Sequence, residues 1–301
     1  MRRWCTNARE VVVGEGAVTV VLAHGYGVTQ ASWDKILPSI AHVNKVLLFD
    51  WDFINSVAGA DDGEEAEARY TFGRFADDLI ALMDEREVRG AVFVGHSMSA
   101  MVGCIAAARR PDLFAHLVLL CASPRYIDSE DEGYVGGFED ASIHAMLGAM
   151  ESNFQAWVKG FVPNAAGSVA VEEHIKHSFL AMDPVVALGV ARMIFLGDER
   201  EALDVVPTSC TIVQARHDFA APPVVAEYMQ GRMASAGTGV TMEIVESAGH
   251  FPQLVASARV ADILDGVLLP LHNKGAYDAV GAPVHVASDV EVDGGAIDVM
   301  T

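Results

Sequence analysis

The chain has 301 residues, 51% of them hydrophobic, which is enough for a substantial core in one large domain or two ordinary ones. Its 20 basic and 41 acidic residues give a formal net charge of −21. That argues against nucleic acid as the main partner, because phosphate neutralisation dominates such binding, and equally against anionic membrane surfaces. No apolar run approaches the roughly 18 residues of a membrane helix, and no signal-type stretch follows Met1-Arg2-Arg3-Trp4-Cys5, so a soluble intracellular protein is expected.

In chain order, Gly14-Glu15-Gly16 is a turn, followed by the short β-branched run Ala17–Ala23, which reads as a buried strand. A second such run, Val46–Phe49, ends at Asp50, and residues 52–70 read as a solvated loop carrying Asp61, Asp62, Glu64, Glu65 and Glu67. Phe72, Phe75, Ala76, Leu79, Ile80 and Met83 recur at helical spacing and predict an amphipathic helix. A third strand, Ala91–Val94, leads into Gly95-His96-Ser97-Met98-Ser99 and the small-residue helix Ala100–Arg109, closed by Pro111; Leu117–Cys121 is a fourth strand. Strands alternating with helices predict parallel βαβ units and an α/β sheet. From about Tyr126 to Leu203 only helical stretches occur: Ala141–Met150, Asn153–Gly160, Val169–Met182 and Pro184–Phe195. Strands return at Thr211–Val213 and Thr241–Val245, and a last helix carrying Ala256, Val260, Ile263, Leu264 and Val267 on one face ends near Pro270. The expected organisation is core over 1–125, helical lid over 126–203, core over 204–271 and a disordered acidic tail over 272–301. An insertion after a strand's C-terminal end sits where α/β sheets bind ligands.

Cys5, Cys104, Cys121 and Cys210 form no C-x-x-C pair and read as reduced core cysteines. His174 and His177 are three apart on a helix but have no further ligand set, so no metal is expected. Gly14-x-Gly16 and Gly25-x-Gly27 lack the third glycine of a dinucleotide fingerprint, and no cofactor is expected.

The segment that carries chemistry is Gly95-His96-Ser97-Met98-Ser99. A serine hydroxyl is a poor nucleophile unless exposed, oriented and next to a base, and a strand-to-helix elbow with small flanking residues supplies the exposure. Ser99 stands where the usual motif has glycine. The following helix N-terminus offers N–H groups to developing negative charge. His24-Gly25 after the first strand is where α/β-hydrolases open the loop that gives one oxyanion N–H, here that of Tyr26; the other is that of Met98. Base and acid should follow in the order Ser97, Asp218, His250, each after a strand. Asp204 is the rival acid, but it precedes its strand; His217 neighbours Asp218 and points elsewhere by alternation.

With these motifs placed, the chain resembles the plant strigolactone-receptor and karrikin-insensitive α/β-hydrolases, whose bacterial relative is RsbQ. The resemblance runs from about Val11 to Leu269 and rests on His24-Gly25-Tyr26-Gly27, Trp33-Asp34-Lys35, Phe49-Asp50-Trp51, Arg69-Tyr70, the segment Phe93–Met101, Arg109-Arg110-Pro111, Ala122-Ser123-Pro124-Arg125-Tyr126, Gly136-Gly137-Phe138-Glu139 and Gly249-His250-Phe251-Pro252-Gln253-Leu254. Ser99 is what this family has. Met98, Asp198-Glu199-Arg200 and Phe251 look most like the DWARF14-LIKE-type branch. The resemblance implies an α/β-hydrolase fold with a four-helix lid over an apolar pocket, and slow hydrolysis of a butenolide-containing ligand by Ser97, His250 and Asp218. It also implies a hormone-sensing role in cytoplasm and nucleus, in which the lid recruits an F-box protein and a repressor. Matching pocket positions are Tyr26, His96, Tyr126, Phe138, Phe161, Phe179, Phe195 and Phe219. The family usually has phenylalanine at Tyr26, so the added hydroxyl is expected to narrow or polarise the pocket; the acidic loop and the tail lack counterparts. Two alternatives stay open: a signalling module with a nearly idle triad, and a generic carboxylesterase.

Overall fold

The computed structural model describes residues 10–51 and 70–280. The expected acidic loop, Cys5, Arg69 and residues 281–301 lie outside these described residues. In chain order the elements are β1 (Val11–Val13), β2 (Thr19–Ala23), α1 (Leu37–Ala41), β3 (Lys45–Phe49), α2 (Phe72–Glu85), β4 (Ala91–His96), α3 (Met98–Arg109) and β5 (Phe114–Leu120). Four helices follow: α4 (Asp140–Ser152), α5 (Phe154–Ala166), α6 (Val169–Leu180) and α7 (Pro184–Leu196). The chain then completes the sheet with β6 (Cys210–His217), α8 (Pro223–Ser235), β7 (Val240–Ala248), α9 (Pro252–Val255) and α10 (Ser257–Val280). The seven strands pair in the order β1-β3-β2-β4-β5-β6-β7, parallel except for the β1–β3 pair.

Both faces of the central strands are covered, which is why β2, β3 and β4 read as apolar runs. On one face Val20, Leu22, Val46, Leu48, Val92 and Val94 pack with Ile36, Ile40, Val260 and Leu264 of the α1 and α10 side. On the other, Val21, Ala23, Leu47, Phe49 and Phe93 join α2, α3, α8 and the four inserted helices. The inserted helices are delimited by polar caps: Asn153 accepts from Ala156 N–H at 2.9 Å to start α5, and Asp183 accepts from Val185 N–H at 2.8 Å to start α7, with Pro184 in the first turn. Among the described residues no single helix is long and apolar enough to cross a membrane.

Several elements differ from the sequence reading, among them the short helices α1 and α9, which are absent from it. The edge strand β1 is absent from it, because two of its three valines are exposed and the run is only three residues long. Helix α8 is absent as well; its buried positions Val225, Ala226, Met229 and Met233 do share one face, but the stripe is narrow and interleaved with Glu227, Tyr228, Gln230, Gly231 and Arg232. The last helix does not stop near Pro270 but continues to Val280, so residues 272–280 are helical rather than part of a disordered tail. Pro270 is exposed, where a lost intrahelical N–H is least costly. The helix stays anchored past it by Leu271 against the core and by His272 Nε2, which donates to Asn44 Oδ1 at 2.8 Å.

Candidate active site

The C-terminal edge of the parallel sheet gathers the ends of β2, β4, β5, β6 and β7, the usual ligand edge of such sheets. Here β4 turns directly into α3 through Ser97, whose backbone holds φ +54° and ψ −117°. The turn is too tight for a side chain at Gly95: a Cβ there would stand 2.7 Å from the Ala100 nitrogen and 2.7 Å from the Ser99 carbonyl carbon. Ser97 N–H donates to Leu120 O at 2.8 Å, and its own carbonyl accepts from Ala100 N–H at 2.9 Å, which fixes the elbow from both sides.

Ser99 has a role that its small size alone did not suggest. Its hydroxyl donates to His24 O at 2.5 Å and accepts from Trp51 Nε1–H at 2.8 Å; the same indole N–H reaches His24 O at 3.0 Å. One buried hydroxyl thus ties the elbow to the loops after β2 and β3. His24 completes the junction: Nδ1–H donates to Gly25 O at 2.8 Å and Nε2 accepts from Trp51 N–H at 3.1 Å. Burial lowers its pKa below the ordinary histidine value, consistent with this neutral tautomer. Ser99→Ala is expected to cost about 1–2 kcal/mol, because His24 O and the indole lose a buried partner, and thermal denaturation should show a lowered Tm.

The three side chains expected at the site meet. Ser97 Oγ lies 2.7 Å from His250 Nε2, and His250 Nδ1 lies 2.7 Å from Asp218 Oδ2. An ionised carboxylate only accepts, so Nδ1 carries the hydrogen and Nε2 is left to take the serine proton. Asp218 Oδ1 accepts from Ala220 N–H at 2.9 Å and Ala221 N–H at 3.2 Å. The backbone of His250 is held by its N–H to Ala165 O of α5 at 2.8 Å and by its carbonyl, which accepts from His96 Nε2–H at 2.7 Å. Asp204 instead pairs with Arg232 at 2.6 Å, and His217 is exposed. His174 and His177 are both exposed on α6.

Met98 opens α3 directly after Ser97, and Tyr26, in the loop after β2, lines the same cavity as Ser97. The hydroxyl of Tyr26 is taken up by the lid backbone. It donates to Ala187 O of α7 at 2.9 Å, while the ring meets Phe179 edge-on at 5.2 Å. Gly27, at φ +77°, must be glycine, since a Cβ would fall 2.0 Å from the Phe179 ring.

Above Ser97 lies a small, largely enclosed cavity of about 30 Å³, room for a water molecule or two and well below the usual size of a small-molecule site. Tyr26, Tyr126, Phe161, Phe179 and Phe195 line it as expected, together with Ala165, Ile194, Ala220 and Phe251, which sequence reasoning missed. Three expected positions do not line it. His96 is fully buried behind Ser97, with Nδ1 lacking a partner among the described residues; burial holds its pKa well below the ordinary value and keeps the ring neutral. Phe138 leans on Tyr126 with centroids 6.5 Å apart, and Phe219 backs Phe161 edge-on at 5.4 Å, so both support the wall rather than form it. Tyr126 and Ser97 line the same cavity, and burial raises the pKa of the tyrosine hydroxyl. Gln214 was missed entirely: buried on β6, it donates through Nε2 to Ala221 O at 2.7 Å and, more loosely, to Asp218 Oδ2 at 3.4 Å. Only contacts, not sequence patterning, reveal it. The described cysteines Cys104, Cys121 and Cys210 are buried and free.

Residues 20–263 match the alpha/beta hydrolase family. The chain is 40% identical over 259 residues to the karrikin insensitive 2 receptor CA of Petunia hybrida, covering 84% of this chain and 92% of that one. It is 38% identical over 256 residues to the strigolactone esterase D14 of Arabidopsis thaliana, covering 84% and 93% respectively. Among solved structures it is similar to olei00960, a hydrolase from Oleispira antarctica, with TM-score 0.78 and 25% identity, covering 87% of this chain and 94% of the other.

Proposed function

The chain belongs to the α/β-hydrolase family, in the group of the strigolactone esterases and karrikin-insensitive receptors, and from that premise we propose that it slowly hydrolyses the ester or lactone bond of a small, largely apolar butenolide-type ligand as part of hormone perception. The observation that carries the reading is the Ser97–His250–Asp218 chain of two 2.7 Å contacts at the floor of an aromatic cavity.

His250 Nε2 takes the proton of Ser97 as Oγ attacks the ligand's carbonyl carbon. The oxygen, now negative, is received by the N–H groups of Tyr26 and Met98. The imidazolium, stabilised by Asp218, returns its proton to the departing oxygen, and water then releases the acyl group by the same sequence. Base catalysis and oxyanion binding each contribute orders of magnitude in rate. The aromatic walls favour an apolar ligand through burial and ring contacts rather than through charge.

The sensing half of the proposal is supported by one contact. His250 N–H is bonded to Ala165 O on lid helix α5, so a rearrangement of the lid disturbs the base and a ligand held by the base bears on the lid. In this reading the lid presents its altered surface to an F-box protein and a repressor, at a cytoplasmic and nuclear address. Intact-mass measurement after exposure to a butenolide tests the core of it: an adduct on the wild type and none on Ser97→Ala is the expected result. Turnover of aryl esters with no adduct and no turnover of butenolides would leave a generic carboxylesterase instead. Capture of the F-box partner only with ligand, and also by Ser97→Ala, would favour a signalling module with an idle triad.

A further inference from the structure

Among the described residues, Glu87, Ser97 and Cys121 are the non-glycine residues with positive φ. Such strain persists only where the surroundings enforce it, and it collects at functional sites. Ser97 belongs to the elbow. Cys121 ends the neighbouring strand β5 at φ +49° and is 0% exposed. Glycine would sit there without strain, yet the chain places a thiol. Its sulfur, an Asp218 carboxylate oxygen and a His250 ring nitrogen all lie within 4.8 Å of one another, and all three residues are buried.

The backbone aims the thiol. Cys121 N–H donates to Val213 O at 2.8 Å. That bond holds the end of β5 so that the sulfur lies within 4.8 Å of an Asp218 carboxylate oxygen. Burial, and then the Asp218 charge, push the Cys121 thiol well above its usual pKa, so it stays protonated and remains a donor. Oδ2 of Asp218 has His250 Nδ1–H at 2.7 Å and only a long contact from Gln214 at 3.4 Å, so a further donor is of use to this carboxylate.

We propose that Cys121 is a positioning residue of the triad: its S–H donates to Asp218 and fixes the orientation and effective charge of the carboxylate that holds His250. The inference rests on the serine-hydrolase reading. Its consequence has a definite sign. A donor on Asp218 takes up part of the carboxylate's negative charge and weakens its hold on the imidazolium. Removing that donor strengthens the hold, so the acid limb of the pH–rate profile moves to higher pH. The titratable groups facing His250 are Asp218 at Nδ1, Cys121 within 4.8 Å of a ring nitrogen, and His96 and Tyr126. His96 is kept neutral by burial and Tyr126 protonated, so neither brings a charge beside His250.

The test compares Cys121→Ser, which keeps a donor, with Cys121→Ala and Cys121→Gly, which remove it; glycine also relieves the backbone. The readouts are aryl acetate turnover and the rate at which a fluorophosphonate labels Ser97, both across about pH 5 to 9, with Tm alongside. For Ala and Gly we expect kcat and labelling to fall about tenfold, KM to stay within about twofold, and the acid limb to rise by about half a pH unit. Cys121→Ser should stay within about twofold of wild type on both readouts. Wild-type rates and limb in Cys121→Ala, or in Cys121→Gly where the alanine variant does not fold, overturn the proposal, as does a Cys121→Ser variant no better than alanine. Ser97→Ala separates the two levels: residual full turnover there sinks the hydrolase reading itself, whereas an inert Ser97→Ala beside an unaffected Cys121→Ala sinks only the role of the cysteine.

Discussion

Replacing Ser97 by alanine is expected to lower aryl ester hydrolysis by a factor of about 10⁴ to 10⁶ while leaving the fold intact. The size follows from what the hydroxyl does. It is the group hydrogen-bonded to His250 Nε2, and without it the base has no nucleophile to activate, so only oxyanion binding and proximity remain. The fold survives because the side chain is small and the elbow is held through backbone bonds to Leu120 and Ala100 that alanine keeps. Alanine at φ +54° is no more strained than serine. The cavity walls are untouched, so ligand-induced shifts in Tm should persist. Initial-rate assays and melting curves on the same preparation check both halves. Undiminished hydrolysis would place the nucleophile elsewhere.

The parallel core was legible because a strand buried on both faces leaves an unbroken apolar run, as at Val20–Ala23 and Val92–Val94. Ser97, Asp218 and His250 were legible for a related reason: each comes after a strand, and the chain order of the three fits one arrangement of chemistry. The elements that escaped owe their stability to context. The edge strand Val11–Val13 exists because β3 offers it an edge, and α10 passes Pro270 because the core holds Leu271 and Asn44 holds His272. The pocket was less legible than the triad. Aromatic identity does not say which way a ring points, so Phe138 and Phe219 became supports and His96 a buried strut, while Ala165 and Ala220 line the cavity with side chains too plain to attract notice. The hydroxyl of Tyr26 shows the same gap: its chemistry was visible, but its partner, a carbonyl 161 residues away on the lid, was not.

Asp218→Asn should cost nearly as much as removing the serine, about 10⁴ in kcat, although it changes neither size nor shape. The local hydrogen bonds dictate which way the amide sits. Ala220 and Ala221 both aim N–H groups at Oδ1, so the amide oxygen must remain there to accept them. The NH₂ then occupies the Oδ2 position, 2.7 Å from His250 Nδ1. It can only donate, which forces Nδ1 to be the acceptor and moves the ring hydrogen to Nε2. A protonated Nε2 cannot take the hydroxyl proton of Ser97. Flipping the amide would restore the tautomer but would set NH₂ against two backbone N–H groups in a buried pocket, at a cost of about 1–3 kcal/mol for each group left unsatisfied. Either arrangement lowers the rate. Because the substitution leaves the oxyanion donors and cavity walls in place, KM should change little, and steady-state kinetics with wild-type-like Tm is the pattern to look for. A variant retaining more than about a tenth of the wild-type kcat would mean that the carboxylate is not what holds His250 in its working tautomer.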